Sequence, residues 1–308
     1  MLKRLARPSS ANAYAFLVLT MLLWAGNHVV GKWANGQIPP MTLAFLRWTG
    51  AALIMLPLAW GALRDEWPAI RASLPRIFVL GLLGSGAYNT LQYLALTETS
   101  ITNAAILNSW GPLLIVAAGA ATYGDRLRPL QIMGLCLSLV GVLTIIFHGD
   151  PSFSELQSLN RGDLIMVLGV LIWATYTNML RSRPAISTLS FAALTYAIAA
   201  AVNLPLAFYE HALGQHIVPS ATAFAAIVYT AALASCLAYF LYTRSVDIIG
   251  ATRTGAFIHL IPVFASAMGI IALGEKPHIF HAAAFALILG GVWLASRQPA
   301  DKSTPVND

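Results

Sequence analysis

The chain has 308 residues, of which 58% are hydrophobic and only 10% are charged. A soluble domain carries about 25% charged residues, so this chain lacks the polar shell a soluble globule needs. The net charge of +6 comes from Lys and Arg scattered between apolar runs, with no stripe or cluster, which argues against a nucleic-acid partner.

The first residues, Met1 to Arg7, have the basic character of a signal peptide's start. The apolar run that follows, 13–34, is longer than a signal core and holds Asn27 and His28, so it reads as a retained first helix. Runs long enough to span a bilayer continue at 40–61, 75–97, 102–123 and 128–147. A polar, turn-rich stretch from 148 to 162 marks the midpoint. Five more runs follow at 163–181, 186–209, 219–243, 252–274 and 278–296. The expected fold is therefore an all-α membrane protein with ten transmembrane helices. Residues 1–12 form a cytoplasmic N-terminal segment, 13–147 and 163–296 two five-helix halves, 148–162 an external linker, and 297–308 a cytoplasmic tail. With both termini inside, external segments hold only Lys32, Arg161 and Lys276 as cations, and Arg47 is the one cation well inside a span. All other Lys and Arg fall on the cytoplasmic side, as the positive-inside rule requires. Cys136 and Cys236 both lie in apolar runs and read as small buried hydrophobes, with neither a disulfide nor a metal site expected.

The halves repeat. Gly111-Pro112 and Ile261-Pro262 are 150 residues apart, as are Gly141-Val142 and Gly291-Val292. Trp24 and Trp173 match at a shift of 149, and Thr42 to Phe45 match Thr188 to Phe191 at 146. Five is an odd number, so the second half enters the membrane from the opposite face. An inverted-topology repeat follows, with a pseudo-two-fold axis in the membrane plane.

The ordered set of landmarks resembles the drug/metabolite transporter superfamily, specifically its EamA-type members. The stretch Tyr93 to Ile106, continuing through Pro112, Gly124-Asp125-Arg126-Leu127, Gln131 and Gly134, is similar to the family's region from the third to the fifth helix. Pro40 to Arg47 resembles its second helix, arginine included, and 250–291 follows the plan more loosely. Asp125 stands where the family more often has Glu; Glu275 keeps the usual residue. The resemblance implies a ten-helix exporter and leaves the cargo open: family members move amino acids and related metabolites, nucleotide sugars, sugar phosphates or cationic drugs.

Polar and aromatic groups in the hydrocarbon layer are costly unless paired or facing a cavity. The expected substrate-binding residues are Trp24, Asn27, Tyr88, Gln92, Trp110, Trp173, Tyr176, Tyr239 and His259. Tyr88 and Gln92, four apart, share a helix face. Trp110 precedes Gly111-Pro112, where proline removes a backbone hydrogen bond and opens the helix; Pro262, with His259 nearby, is the repeat counterpart of that break. Pro112, Pro262 and Arg47 are expected in gating or structural roles. Arg47 lies roughly 10 Å from the external end at helical rise, and binding a substrate carboxylate or phosphate is its alternative role. No Asp or Glu falls deep inside a span, so no carboxylate proton relay is visible, and His28 and His259 are the groups that titrate near neutral pH. Asp125 and Glu275 are expected to anchor helix ends.

The expected function is export of amino acids or related small amine metabolites by alternating access, with the site between the repeats. A multidrug, sugar-phosphate or nucleotide-sugar carrier on the same fold is the alternative. An intramembrane hydrolase built on Ser85 and a histidine is the alternative of another class. Neither catalytic residues, cofactor nor metal are expected. The expected partners are the lipid bilayer and a small-molecule substrate, in a bacterial inner membrane, as a monomer with a dimer as the alternative.

Overall fold

The structure is a computed structural model. It describes residues 10–296 except 35, 97, 127, 151, 153–159, 274 and 275, and leaves aside the side chains of 28, 31–34, 101, 102, 272 and 273. Most of the midpoint linker, residues 1–9 of the N-terminal segment, the C-terminal tail, Glu275 and the side chains of His28 and Lys32 thus lie outside the described residues.

Among those residues there are helices and no strands. Helix α1 is Ser10–Ala34 and α2 is Pro40–Asp65. A short helix, Trp67–Ala72, leads into α3 at 74–96, in which a π-helical stretch, Gly81–Ala87, separates two α-helical pieces. Helix α4 spans 101–123 and is interrupted at Trp110; α5 is Pro129–Ile146. Helix α6 is Arg161–Met179 and α7 is Thr188–Ala212. Helix α8, Ala221–Ile249, contains a second π-helical stretch, Tyr229–Leu237. Helix α9 runs over 251–273 with a 3₁₀ turn at Phe257–His259, and α10 is Ile279–Ser296.

The helix starts follow local chemistry. Ser100, Asn160, Ser187 and Ser220 each accept a backbone N–H from the first turn of the next helix, and Asn160 and Asp163 form a reciprocal capping box. Pro40 and Pro129 begin α2 and α5, where no N–H is needed. Gly124 ends α4 with φ +67°, a left-handed cap that favours glycine.

Eight helices among the described residues are long and apolar enough to cross a membrane. Helices α1 and α3 are not among the eight. In α3, Asn89 and Gln92 dilute the apolar character; in α1, part of the span lies outside the residues whose side chains are described. Large apolar side chains face outward along the bundle, among them Leu53, Leu58, Trp60, Phe224 and Ile271. A soluble monomer does not expose such a surface. Cys136 also faces outward, whereas Cys236 is buried. The reading of both cysteines as buried therefore holds only for the second, because an apolar helix in lipid gives no sign of which face is inside.

The packing has an exchange symmetry. Helix α2 packs on α7, α5 on α10 and α4 on α9; α1 packs on α8 and α9, while α6 packs on α3 and α4. Helix α2 also touches α8, and α7 touches α3. Exchanging α1–α5 for α6–α10 leaves this pattern unchanged.

The α2–α7 pair is antiparallel and stapled at both ends by carboxylates. Glu210 at the end of α7 is buried, and its carboxylate accepts from Met41 N–H at 2.9 Å, Thr42 N–H at 2.6 Å and the Thr42 hydroxyl at 2.8 Å. Glu66, just past α2, accepts from Ser187 N–H at 2.9 Å and the Ser187 hydroxyl at 3.1 Å, at the start of α7. Each helix thus lends a carboxylate to the other's positive end. Glu210→Ala leaves two N–H groups at the start of α2 without acceptors, and we expect a loss of about 1–3 kcal/mol. Glu210→Gln, which keeps one acceptor oxygen, should lose less. Thermal unfolding in detergent measures both, and equal melting of Glu210→Ala and the parent would refute the cap.

At the opposite end from Glu210, Arg181 pairs with Asp125, and Arg183 with Asp247 at 2.8 Å. Asp125 therefore does anchor a helix end, tying the α4–α5 connection to the end of α6.

Candidate functional site

The two π-helical stretches shift backbone carbonyls out of register, and side chains from the same and other helices use them. In α8, Ala234 O accepts the Trp24 indole N–H at 3.0 Å, and Cys236 O accepts the Tyr196 hydroxyl at 3.0 Å. In α3, Gly86 O accepts from Thr90 at 2.7 Å and from Asn203 of α7 at 3.4 Å. Trp24 is thereby fixed by its polar edge, with its rings free to form a wall.

That wall is an aromatic cluster. Trp24 meets its repeat counterpart Trp173 edge-on, with ring centroids 5.6 Å apart. Tyr239 lies 5.4 Å from Trp24 and 5.8 Å from Trp173, and Tyr88 lies 4.9 Å from Trp173. Such edge and tilted contacts suit the quadrupoles of the rings.

These rings border a cavity of about 50 Å³, enough for a few waters. Its remaining lining is Asn27, Arg47, Asn89, Gln92, Asn108, Gly111, Ile258 and Ile261. Helices from both halves contribute. The walls are apolar rings with amides between them, and the only charge is that of Arg47.

Arg47 is 1% exposed. Its Nε donates to Ser235 Oγ at 2.7 Å, and its Nη1 donates to Asn89 Oδ1 at 3.3 Å and Tyr93 Oη at 3.0 Å. Asn89 in turn donates to Tyr239 Oη at 2.8 Å, across 150 residues of sequence. Among the described residues no carboxylate pairs with Arg47 and its Nη2 makes no hydrogen bond. A buried guanidinium with Nε and Nη1 engaged and Nη2 free can offer that nitrogen to an anion.

Six of the expected substrate-binding residues line the cavity together: Trp24, Asn27, Tyr88, Gln92, Trp173 and Tyr239. Arg47, expected as a gating or structural group, lines it too. Three of the nine do not. Trp110 is 48% exposed and does not line the cavity, while its neighbour Gly111 does. Tyr176 packs behind Trp173 at 5.4 Å. His259 is buried, with Nε2 2.9 Å from Ser109 O and Nδ1 2.6 Å from Ser138 Oγ, so neither nitrogen reaches Ser85. Pro112 and Pro262 shape α4 and α9 without lining the cavity. Asn108, which sequence reasoning missed, accepts the Tyr88 hydroxyl at 3.0 Å. Its signal was its place four residues before Pro112, where the helix must open. Ser235 and Tyr93 carried no comparable signal.

The sequence profile of the EamA-like transporter family matches residues 11–147 and again 160–297. An uncharacterized transporter of Archaeoglobus fulgidus is 27% identical over 93% of this chain and 98% of its own length. A protein named aromatic amino acid exporter YddG, from Ancylobacter novellus, is 26% identical over 94% of this chain and 97% of its own. A probable amino-acid metabolite efflux pump of Salmonella typhimurium is 23% identical over 90% and 92%. One solved crystal structure superposes with a TM-score of 0.77 at 22% identity, covering 94% of this chain and 97% of the other, which establishes the shared fold.

Proposed function

Because this chain belongs to the EamA-like transporter family, and so is a membrane transporter, we propose that it exports amino acids or closely related small carboxylates. Aromatic and large apolar side chains are the favoured cargo. The observation that carries this reading is Arg47: a buried cation without a carboxylate partner among the described residues, in a cavity walled by Trp24, Tyr88, Trp173 and Tyr239. A cargo carboxylate can accept from the free Nη2, and a ring or alkyl chain fits the aromatic walls. The amides of Asn27 and Gln92 offer oxygens to an ammonium. A single arginine is poor provision for a phosphate, and a cationic drug would face it unfavourably.

We further propose that all ten helices cross a bacterial inner membrane, with both termini cytoplasmic and residues 13–147 and 163–296 as inverted repeats. The antiparallel α2–α7 pair and the exchange symmetry of the packing support this. A cavity of about 50 Å³ is far below the roughly 300 Å³ and more of typical ligand sites. The cargo therefore enters only when the halves move apart, as alternating access requires.

The test is flux of labelled L-phenylalanine in proteoliposomes, within a panel of amino acids and with competitors. 3-Phenylpropionate, which keeps the carboxylate, should compete; phenethylamine, which keeps only the ammonium, should not. The reverse order would make the cargo a cation, and flat flux across the panel would sink the amino-acid reading.

A further inference from the structure

Two helix breaks meet at one buried side chain. Pro112 has no N–H, and α4 is interrupted at Trp110. The carbonyl of Ser109, at that break, accepts from His259 Nε2 at 2.9 Å. His259 itself ends the 3₁₀ turn that interrupts α9. On its other side Nδ1 lies 2.6 Å from Ser138 Oγ of α5. A ring that donates from Nε2 to a carbonyl is, when neutral, an acceptor at Nδ1, so the Ser138 hydroxyl donates to it. Ser109 and His259 are repeat counterparts, 150 residues apart.

The residues beside these breaks face the cavity. Asn108 and Gly111 flank the bonded carbonyl on α4, and Ile258 and Ile261 flank His259 on α9. His259 does not reach the cavity, yet it bonds to the break beside Asn108, whose Oδ1 accepts the Tyr88 hydroxyl.

We propose that His259 is a positioning residue: its bond to the Ser109 carbonyl locks the α4 break against α9 and so presents Asn108 and Tyr88 to the cargo. This role rests on the transport reading above. It differs from simple packing because it belongs to one ring nitrogen. In His259→Gln the side-chain amide reaches the place of Nε2 and keeps the Ser109 bond. In His259→Asn it reaches only the place of Nδ1 and keeps the contact with Ser138.

The pair is compared in two measurements. The first needs no cargo: the labelling rate of Gly111→Cys by a small thiol reagent, with Cys136 and Cys236 replaced by alanine. A Cβ at Gly111 meets nothing closer than Val170 Cγ1 at 3.7 Å, so the reporter fits. The second is the KM and maximal rate of L-phenylalanine flux. We expect His259→Gln to match the parent within about twofold in both, and His259→Asn to shift the labelling rate several-fold and raise KM about tenfold with little change in maximal rate. Equal labelling in the two variants overturns the role, as does an unchanged KM for His259→Asn. A parent that moves no phenylalanine, with the labelling contrast intact, overturns the cargo reading and leaves the role of His259 standing.

Discussion

Replacing Arg47 by glutamine should slow the flux of carboxylate-bearing cargo by about 10- to 100-fold while leaving a folded protein. A charge-assisted hydrogen bond contributes about 1.5–3 kcal/mol, and each 1.4 kcal/mol is a factor of ten. Nη2 of Arg47 makes no hydrogen bond among the described residues, so little native structure depends on that nitrogen. Nε serves Ser235 and Nη1 serves Asn89 and Tyr93, and a glutamine amide can still serve one of them. Removing a buried charge also removes its desolvation cost, which offsets part of the lost bonding. Arg47→Lys keeps the charge but loses the fork, and it should recover only part of the flux. Proteoliposome flux read beside thermal unfolding separates the possibilities. Normal flux in Arg47→Gln would remove Arg47 from the cargo site. Failure to fold in both variants would make it a structural group.

The second large effect is expected in the α5–α10 pair. A Cβ on Gly291 would lie 2.5 Å from Gly134 O and 2.5 Å from Ser138 N. Gly134 is the reciprocal case, with Gly291 O at 2.6 Å and Ala295 N at 2.7 Å. These are backbone atoms in the facing helix, so neither side can swing away. Close approach of this kind holds helices together in lipid, where no hydrophobic force acts between them. Gly291→Val should therefore cost about 3 kcal/mol or more, at the upper end of overpacking. Ser138 lies on the same face and holds His259, so the disturbance also reaches the α4 and α9 breaks. Gly290→Val is the control: its added Cβ meets nothing within 4 Å. Melting in detergent should fall steeply for the first variant and hardly move for the second. Similar melting of the two would disprove the close contact.

Much of the architecture was legible in the chain. Length and hydropathy of each run bound the helices, because a bilayer leaves the backbone no other way to satisfy its hydrogen bonds. The 150-residue register paired Trp24 with Trp173, and the two rings do touch. Polar and aromatic residues too costly to leave in lipid marked Asn27, Tyr88 and Gln92 as lining, and all three face the cavity. What the chain could not disclose was the rotation of each helix about its own axis. In water an apolar stripe betrays the buried face; in lipid the outer face is apolar as well, so periodicity says little. Trp110 is consequently half-exposed and outside the cavity lining while Gly111 lines it, and Cys136 lies on the exposed side. Tertiary packing alone set Glu210 on the start of α2, His259 on the Ser109 carbonyl and Arg47 among Ser235, Asn89 and Tyr93. Those contacts join residues far apart in sequence, and only the meeting of two helix surfaces decides which of them touch.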